Sequence, residues 1–155
     1  MLKINGNKLS AAGIQFALPE EHYIDIEGME AVSENGIKFV SDREDYYISF
    51  MTSEEEYTSS RASIDEIFID TVLGDSNSYK IIQEPKDYEC NGLKGTCVQY
   101  ESKYDYYYEI HFERADGFDS QAEVLICVDK DMSDLETALN KQTVKDFFNS
   151  FVLHK

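Results

Sequence analysis

Four dipeptides of one kind constrain this chain more than any other feature: Asn5-Gly6, Asn35-Gly36, Asn91-Gly92 and Asp116-Gly117. Both central residues of a type I′ turn need positive φ, which Asn, Asp and Gly tolerate best. Such pairs between apolar runs therefore join antiparallel neighbours. The flanking segments have the matching pattern. LKI and NKL frame a small terminal hairpin, and GIQFAL (13–18) alternates Ile14, Phe16 and Leu18 before Pro19 closes it. YIDIEGM sets Ile24 and Ile26 on one face, and GIKFVS turns through SDRED into YYISFMT, where Tyr46, Ile48 and Phe50 share a face. YKIIQE, DYEC, LKGTCVQYES and AEVLICVDK follow as further strands, the second and third joined at Asn91-Gly92.

Two segments change period. In SSRASIDEIFIDTVLGDS, Ile64, Ile67, Phe68 and Val72 take the i, i+3, i+4, i+8 spacing of an amphipathic helix. Ser63 and Glu66 fit a capping box at its start, and Gly74 suits a left-handed C-terminal cap. In MSDLETALNKQTVKDFFNSFVLHK, Ser133 and Glu136 form a second capping box. Leu135 and Leu139 begin an apolar stripe that Val144, Phe147, Phe148 and Phe151 continue after a break near Asn140. No repeat, low-complexity tract or linker divides the chain. Residues 1–155 are expected to form one α+β domain, a mainly antiparallel sheet flanked by helices as an α/β/α sandwich.

The segment SKYDYYYEIHFER (102–114) poses a choice between a stacking platform and a strand built from tyrosine. Period two answers it. Tyr104, Tyr106, Tyr108, Ile110 and Phe112 fall on one face, and Asp105, Tyr107, Glu109, His111 and Glu113 on the other. The first row is expected to enter the core and the second to face solvent. A base-stacking platform would need cations beside the rings, and only Lys103 and Arg114 are near in sequence.

Charge excludes more than it identifies. Fourteen Lys and Arg against 31 Asp and Glu leave a net charge of −17. Such a chain repels nucleic-acid phosphates and anionic membrane surfaces, and attracts basic partners. No segment reaches the roughly 18 apolar residues of a membrane span. The first residues contain no apolar signal core, so the cytoplasm is the expected compartment, with a trimmed secreted or lipoprotein form as the alternative. Cys90, Cys97 and Cys127 form no C-x-x-C pair. Cys90 and Cys97 bracket a turn where they could face each other, but free buried thiols are the expectation.

The candidate sites are few. Glu109, His111 and Glu113 sit at alternate positions and could converge on a divalent metal or act as an acid–base pair, given a cross-strand ligand. Asp129, Asp131 and Ser133 have calcium-like spacing, but Asp134 stands where such a loop needs glycine and Asn140 where it needs glutamate. Glu54, Glu55 and Glu56 form an acidic run suited to docking a basic protein. No nucleophile elbow, P-loop, dinucleotide fingerprint or H-E-x-x-H is present, and no cofactor is expected.

The phrase GIQFALPEEHY, the NGLKG turn (91–95) and the terminal FFNSF together resemble the PsbP-like α/β/α sandwich superfamily. Bacterial and DcrB-like members pair a Phe-x-Leu-Pro-Glu phrase, here Phe16–Glu20, with a final helix carrying Ser-Phe, here Ser150 and Phe151. The resemblance implies a binding or adaptor module, as in a photosystem accessory protein, a Ran-binding transport factor, envelope lipoproteins and effector chaperones. It implies no shared catalytic apparatus and transfers no functional residue. The expected function is a non-catalytic domain of adaptor, chaperone or inhibitor type acting on a basic protein partner. The alternative is a small metal-binding or metal-assisted hydrolytic domain built on Glu109, His111 and Glu113.

Overall fold

A computed structural model of the chain describes residues 3–5, 7–17, 22–24, 32–33, 36–41, 45–53, 59–118 and 120–153. In chain order the strands are β1 (Lys3–Asn5), β2 (Lys8–Ala11), β3 (Ile14–Ala17), β4 (His22–Ile24), β5 (Val32–Ser33), β6 (Gly36–Ser41) and β7 (Tyr46–Ser53). Helix α1 (Ser60–Ile67) continues as a π-helical segment, Phe68–Leu73. Then come β8 (Lys80–Cys90), β9 (Leu93–Glu101), β10 (Asp105–Phe112), β11 (Gln121–Asp129), α2 (Leu135–Leu139), α3 (Gln142–Asn149) and β12 (Val152–Leu153). The larger sheet has the order β4-β6-β7-β11-β10-β9-β8, with β5 beside β6, and the smaller one runs β1-β2-β3-β12. Every pairing is antiparallel, so the chain is an α+β fold of antiparallel sheets and helices.

One face of the large sheet carries the main core. Tyr46, Ile48 and Phe50 of β7, Val124, Ile126 and Val128 of β11, and Ile110 and Phe112 of β10 meet Leu9, Ile14 and Phe16 of the small sheet. Val144, Phe147 and Phe151 cover them from the C-terminal end. The two phrases quoted from the chain's ends meet here. Ala17 N donates to Ser150 Oγ at 2.9 Å, and the rings of Phe16 and Phe151 lie 5.5 Å apart. On the opposite face α1 and the π-helical segment bury Ile64 and Val72 against Val98 and Tyr100, with Phe68, Tyr79 and Tyr107 at the margin.

The turn expectation holds at Asn91 (φ 52°) and Gly92 (φ 80°), which link β8 to β9. It does not hold at Asp116-Gly117, in the loop between β10 and β11, where Gly117 (φ 86°) has positive φ and Asp116 does not. Other expectations are corrected. Ser59, not Ser63, caps α1, accepting from Ala62 N at 3.1 Å, so Ser63 lies inside the helix. Asp134, not Ser133, caps α2, accepting from Thr137 N at 2.7 Å. The described glycines at positive φ are Gly13, Gly92 and Gly117, so Gly74 is no left-handed cap. YKIIQE and DYEC form the single strand β8, with register shifts on either side of Gln83. Pro85 is tolerated there because β8 is an outer strand and a missing N–H need not break a ladder. Cys90 pairs with Leu93 and Cys97 with Lys86, so the two thiols do not face each other; all three cysteines are buried and in no disulfide. Leu18, Pro19, Ile26 and Asn35 lie outside the described residues.

Candidate functional site

The tyrosine strand follows its period, with two departures. Ile110 and Phe112 are buried in the main core, and Tyr106 and Tyr108 pack at its margin. Tyr104 does not join them. Ser102 N donates to Asp105 O, which places Tyr104 in the turn before β10 at 65% exposure. The second departure concerns the polar row, in which Glu113 is exposed and Asp105, Tyr107 and Glu109 are partly so, but His111 is sealed. His111 is 1% exposed because α1 lies across this part of the sheet.

A polar lock joins helix to sheet. Ser63 Oγ and His111 Nδ1 are 2.5 Å apart, both side chains buried. His111 Nε2 stands 3.4 Å from Glu109 Oε2 and 3.9 Å from Glu123 Oε2, with hydrogen-bond geometry to neither. One turn earlier, Ser60 N and Ser60 Oγ donate to Glu113 Oε1 at 3.1 and 2.6 Å, and Ser60 Oγ meets Thr96 Oγ1 at 2.8 Å. The first turn of α1 has no acidic residue, so Glu113, the residue after β10, supplies the negative charge that a helix N-terminus favours. Gly95 lets β9 pass close to β10, since a Cβ there would overlap the carbonyl oxygen of His111.

A serine, a histidine and a carboxylate in a row invite a catalytic reading. Burial decides against it. Ser63 and His111 are each 1% exposed, and a nucleophile must reach its substrate. Ser63 could do so only if α1 lifted from Val98 and Tyr100. The constellation holds α1 in place instead.

Of the three candidate metal ligands, Glu109 and His111 are brought together, and Glu113 is turned toward Ser60. Among the described residues, no three His, Cys, Asp or Glu side chains are placed to hold a metal ion. Glu54, Glu55 and Glu56 lie outside the described residues. Glu123 and Ser60 had no signal in the sequence, because their roles depend on strand register and on where α1 lands.

Beyond α1, the same face of the sheet is less covered. Tyr47, Ser49 and Met51 of β7 lie opposite Cys127, Leu125 and Glu123 of β11. Met51 is 50% exposed, and Tyr47, Ser49 and Leu125 are partly so. Among the described residues, no helix is long and apolar enough to cross a membrane.

No family model matches the chain. No curated protein matches it either. Solved structures do. A mutant form of the protein Mog1 is similar with a TM-score of 0.55 at 12% identity, over 97% of this chain and 96% of that one. A protein from Bacteroides thetaiotaomicron VPI-5482 is similar with a TM-score of 0.53 at 11% identity, over 98% of this chain and 50% of that one. At such identities the likeness is one of fold.

Proposed function

We propose that this protein is a non-catalytic protein-binding domain of adaptor, chaperone or inhibitor type. The observation that carries the proposal is the uneven cover of the large sheet. Helix α1 shields β9 and β10, whereas Tyr47, Met51 and Leu125, with Ser49 among them, offer a partly exposed and largely apolar strip on the sheet. A central apolar contact with a polar rim is the usual anatomy of such interfaces. The net charge of −17, with the acidic run Glu54, Glu55 and Glu56 in the sequence, favours a basic partner. The PsbP-like assignment belongs to the same proposal. It is supported by the contact between its two phrases, Phe16 on Phe151 and Ala17 on Ser150.

A photo-crosslinking residue at position 51, with a matched one at exposed Lys145 as control, tests this. A basic protein captured at 51 and not at 145 is expected. Its association rate should fall about tenfold or more as ionic strength rises from about 10 to about 150 mM. An acidic partner, a salt-independent rate or equal capture at both positions would overturn the proposal.

A further inference from the structure

At the end of the sheet where the tyrosine strand begins lies an open cleft of about 670 Å³. Its walls are the segment Asn77–Lys80 entering β8, the turn Glu101–Asp105 between β9 and β10, Tyr107, and Lys130 at the end of β11. The chain as a whole is strongly acidic, but this cleft is not. Lys80, Lys103 and Lys130 face it together with Glu101 and Asp105, three cations to two anions where the sequence holds 14 to 31. Glu101 is engaged by Lys130 at 3.3 Å, and among the described residues no ion pair joins Lys80 or Lys103 to a carboxylate.

The site is built rather than incidental. Ser102 N is bonded to Asp105 O at 2.9 Å, and Ser102 Oγ accepts from Tyr104 N and Asp105 N. Lys130 N donates to Tyr104 O at 2.9 Å, so the turn is held from both sides. Tyr107 stacks on Tyr100 with ring centroids 4.8 Å apart, and Tyr79 packs edge-on to both. Tyr104 has no such packing against another ring and offers its own, with Lys103 Nζ 5.2 Å from the centroid. The segment leading into the cleft follows the π-helical turn, an irregularity often found at functional sites. Aromatic rings beside Lys80 and Lys103, neither held in an ion pair among the described residues, suit a ligand that carries carboxylates next to a ring.

We infer that this cleft binds an acidic, aromatic-containing peptide segment of a partner protein. The distant acidic surface does not forbid this, because charges beyond about 8–10 Å are largely screened at physiological salt. The inference is independent of the basic partner proposed for the Met51 strip and names a second, chemically opposite contact.

Fluorescently labelled random copolymers of glutamate with tyrosine and of lysine with tyrosine, and polyglutamate alone, serve as probes of the full chain. At physiological salt the glutamate–tyrosine copolymer should bind more tightly than polyglutamate. The double substitution Lys80→Glu, Lys103→Glu should weaken it about tenfold, and Tyr104→Ala should remove its advantage over polyglutamate. The lysine–tyrosine copolymer reports on the acidic surface and should not weaken in either variant. Both lysines are exposed, so the variants should melt as the parent does. No binding of the glutamate–tyrosine copolymer, or equal binding by the charge-reversed variant, overturns the inference without touching the Met51 proposal.

Discussion

The hydroxyl of Ser150 accepts a hydrogen bond from the amide of Ala17 at 2.9 Å and donates its own proton to Phe147 O at 2.6 Å. This one side chain therefore ties the end of α3 to strand β3. Beside it, Phe151 is fully buried, its ring 4.9 Å from Phe147, 5.5 Å from Phe16 and 5.7 Å from Phe112. Phe151→Ala should cost ~3–5 kcal/mol of unfolding free energy, measured by urea titration. Ser150→Ala should cost ~1 kcal/mol. A Phe151→Ala variant within about 1 kcal/mol of the parent would show that the C-terminal segment is not part of the core.

The helix lock makes a separate prediction. Ser63→Ala leaves the buried Nδ1 of His111 without its partner, at a cost of ~1–3 kcal/mol. It should also raise amide exchange in α1 ahead of the β7–β11 ladder, because local opening follows local stability. A loss spread evenly over the whole chain would argue that Ser63 is merely a packed residue.

Asn91 acts twice. Its backbone turns the hairpin at φ 52°, and its Nδ2 donates to the carbonyls of Phe148, Asn149 and Phe151 at 3.3, 3.0 and 3.0 Å. Asn91→Asp keeps the turn conformation accessible but removes the donor and sets a negative charge beside the C-terminal end of α3. It should cost ~1–3 kcal/mol. If instead Asn91→Asp unfolds at the parent's urea midpoint, the turn alone explains the residue.

Stability should fall at alkaline pH. Burial pushes the phenols of Tyr47, Tyr88, Tyr100 and Tyr108 well above their usual 10.0, with the Glu109 carboxylate adding to the effect at Tyr100. Burial likewise raises the thiols of Cys90 and Cys97 above 9.0. In the unfolded chain these groups lose their protons at ordinary values, so protonation favours the folded state. That stabilisation is complete below about pH 8 and declines as pH rises through the unfolded values toward the raised folded ones. Tm should hold from neutral pH to about 8 and drop above it. The two thiols should react with an alkylating reagent only as the chain opens; rapid alkylation of Cys97 in the folded protein would contradict its burial.

Much of the fold was legible because it rests on local rules. Turn dipeptides and period-two runs located the strands, and the break near Asn140 separates α2 from α3 as its spacing implied. Elements that are locally ambiguous were misread. Ser63 and Ser133 satisfy a capping pattern, yet Ser59 and Asp134 hold the caps. A four-residue pattern recurs wherever serine and glutamate are common, and only the backbone path selects among its matches. YKIIQE and DYEC look like two strands, yet they form the single outer strand β8. The sequence does not say which strand lies at a sheet edge, where Pro85 is tolerated.

By itself, then, the sequence determined the antiparallel character, the alternation of faces and the acidic field, since each depends on near neighbours or on a sum over residues. Tertiary structure alone decided that His111 is sealed, that Glu113 serves the start of α1, and that Tyr104 opens into a cleft while Phe112 is buried. Alternation assigns a residue to one of two faces, but whether a face is wet depends on which distant segment packs over it. That cover is set by the whole chain's competition to bury apolar surface, which no local pattern encodes.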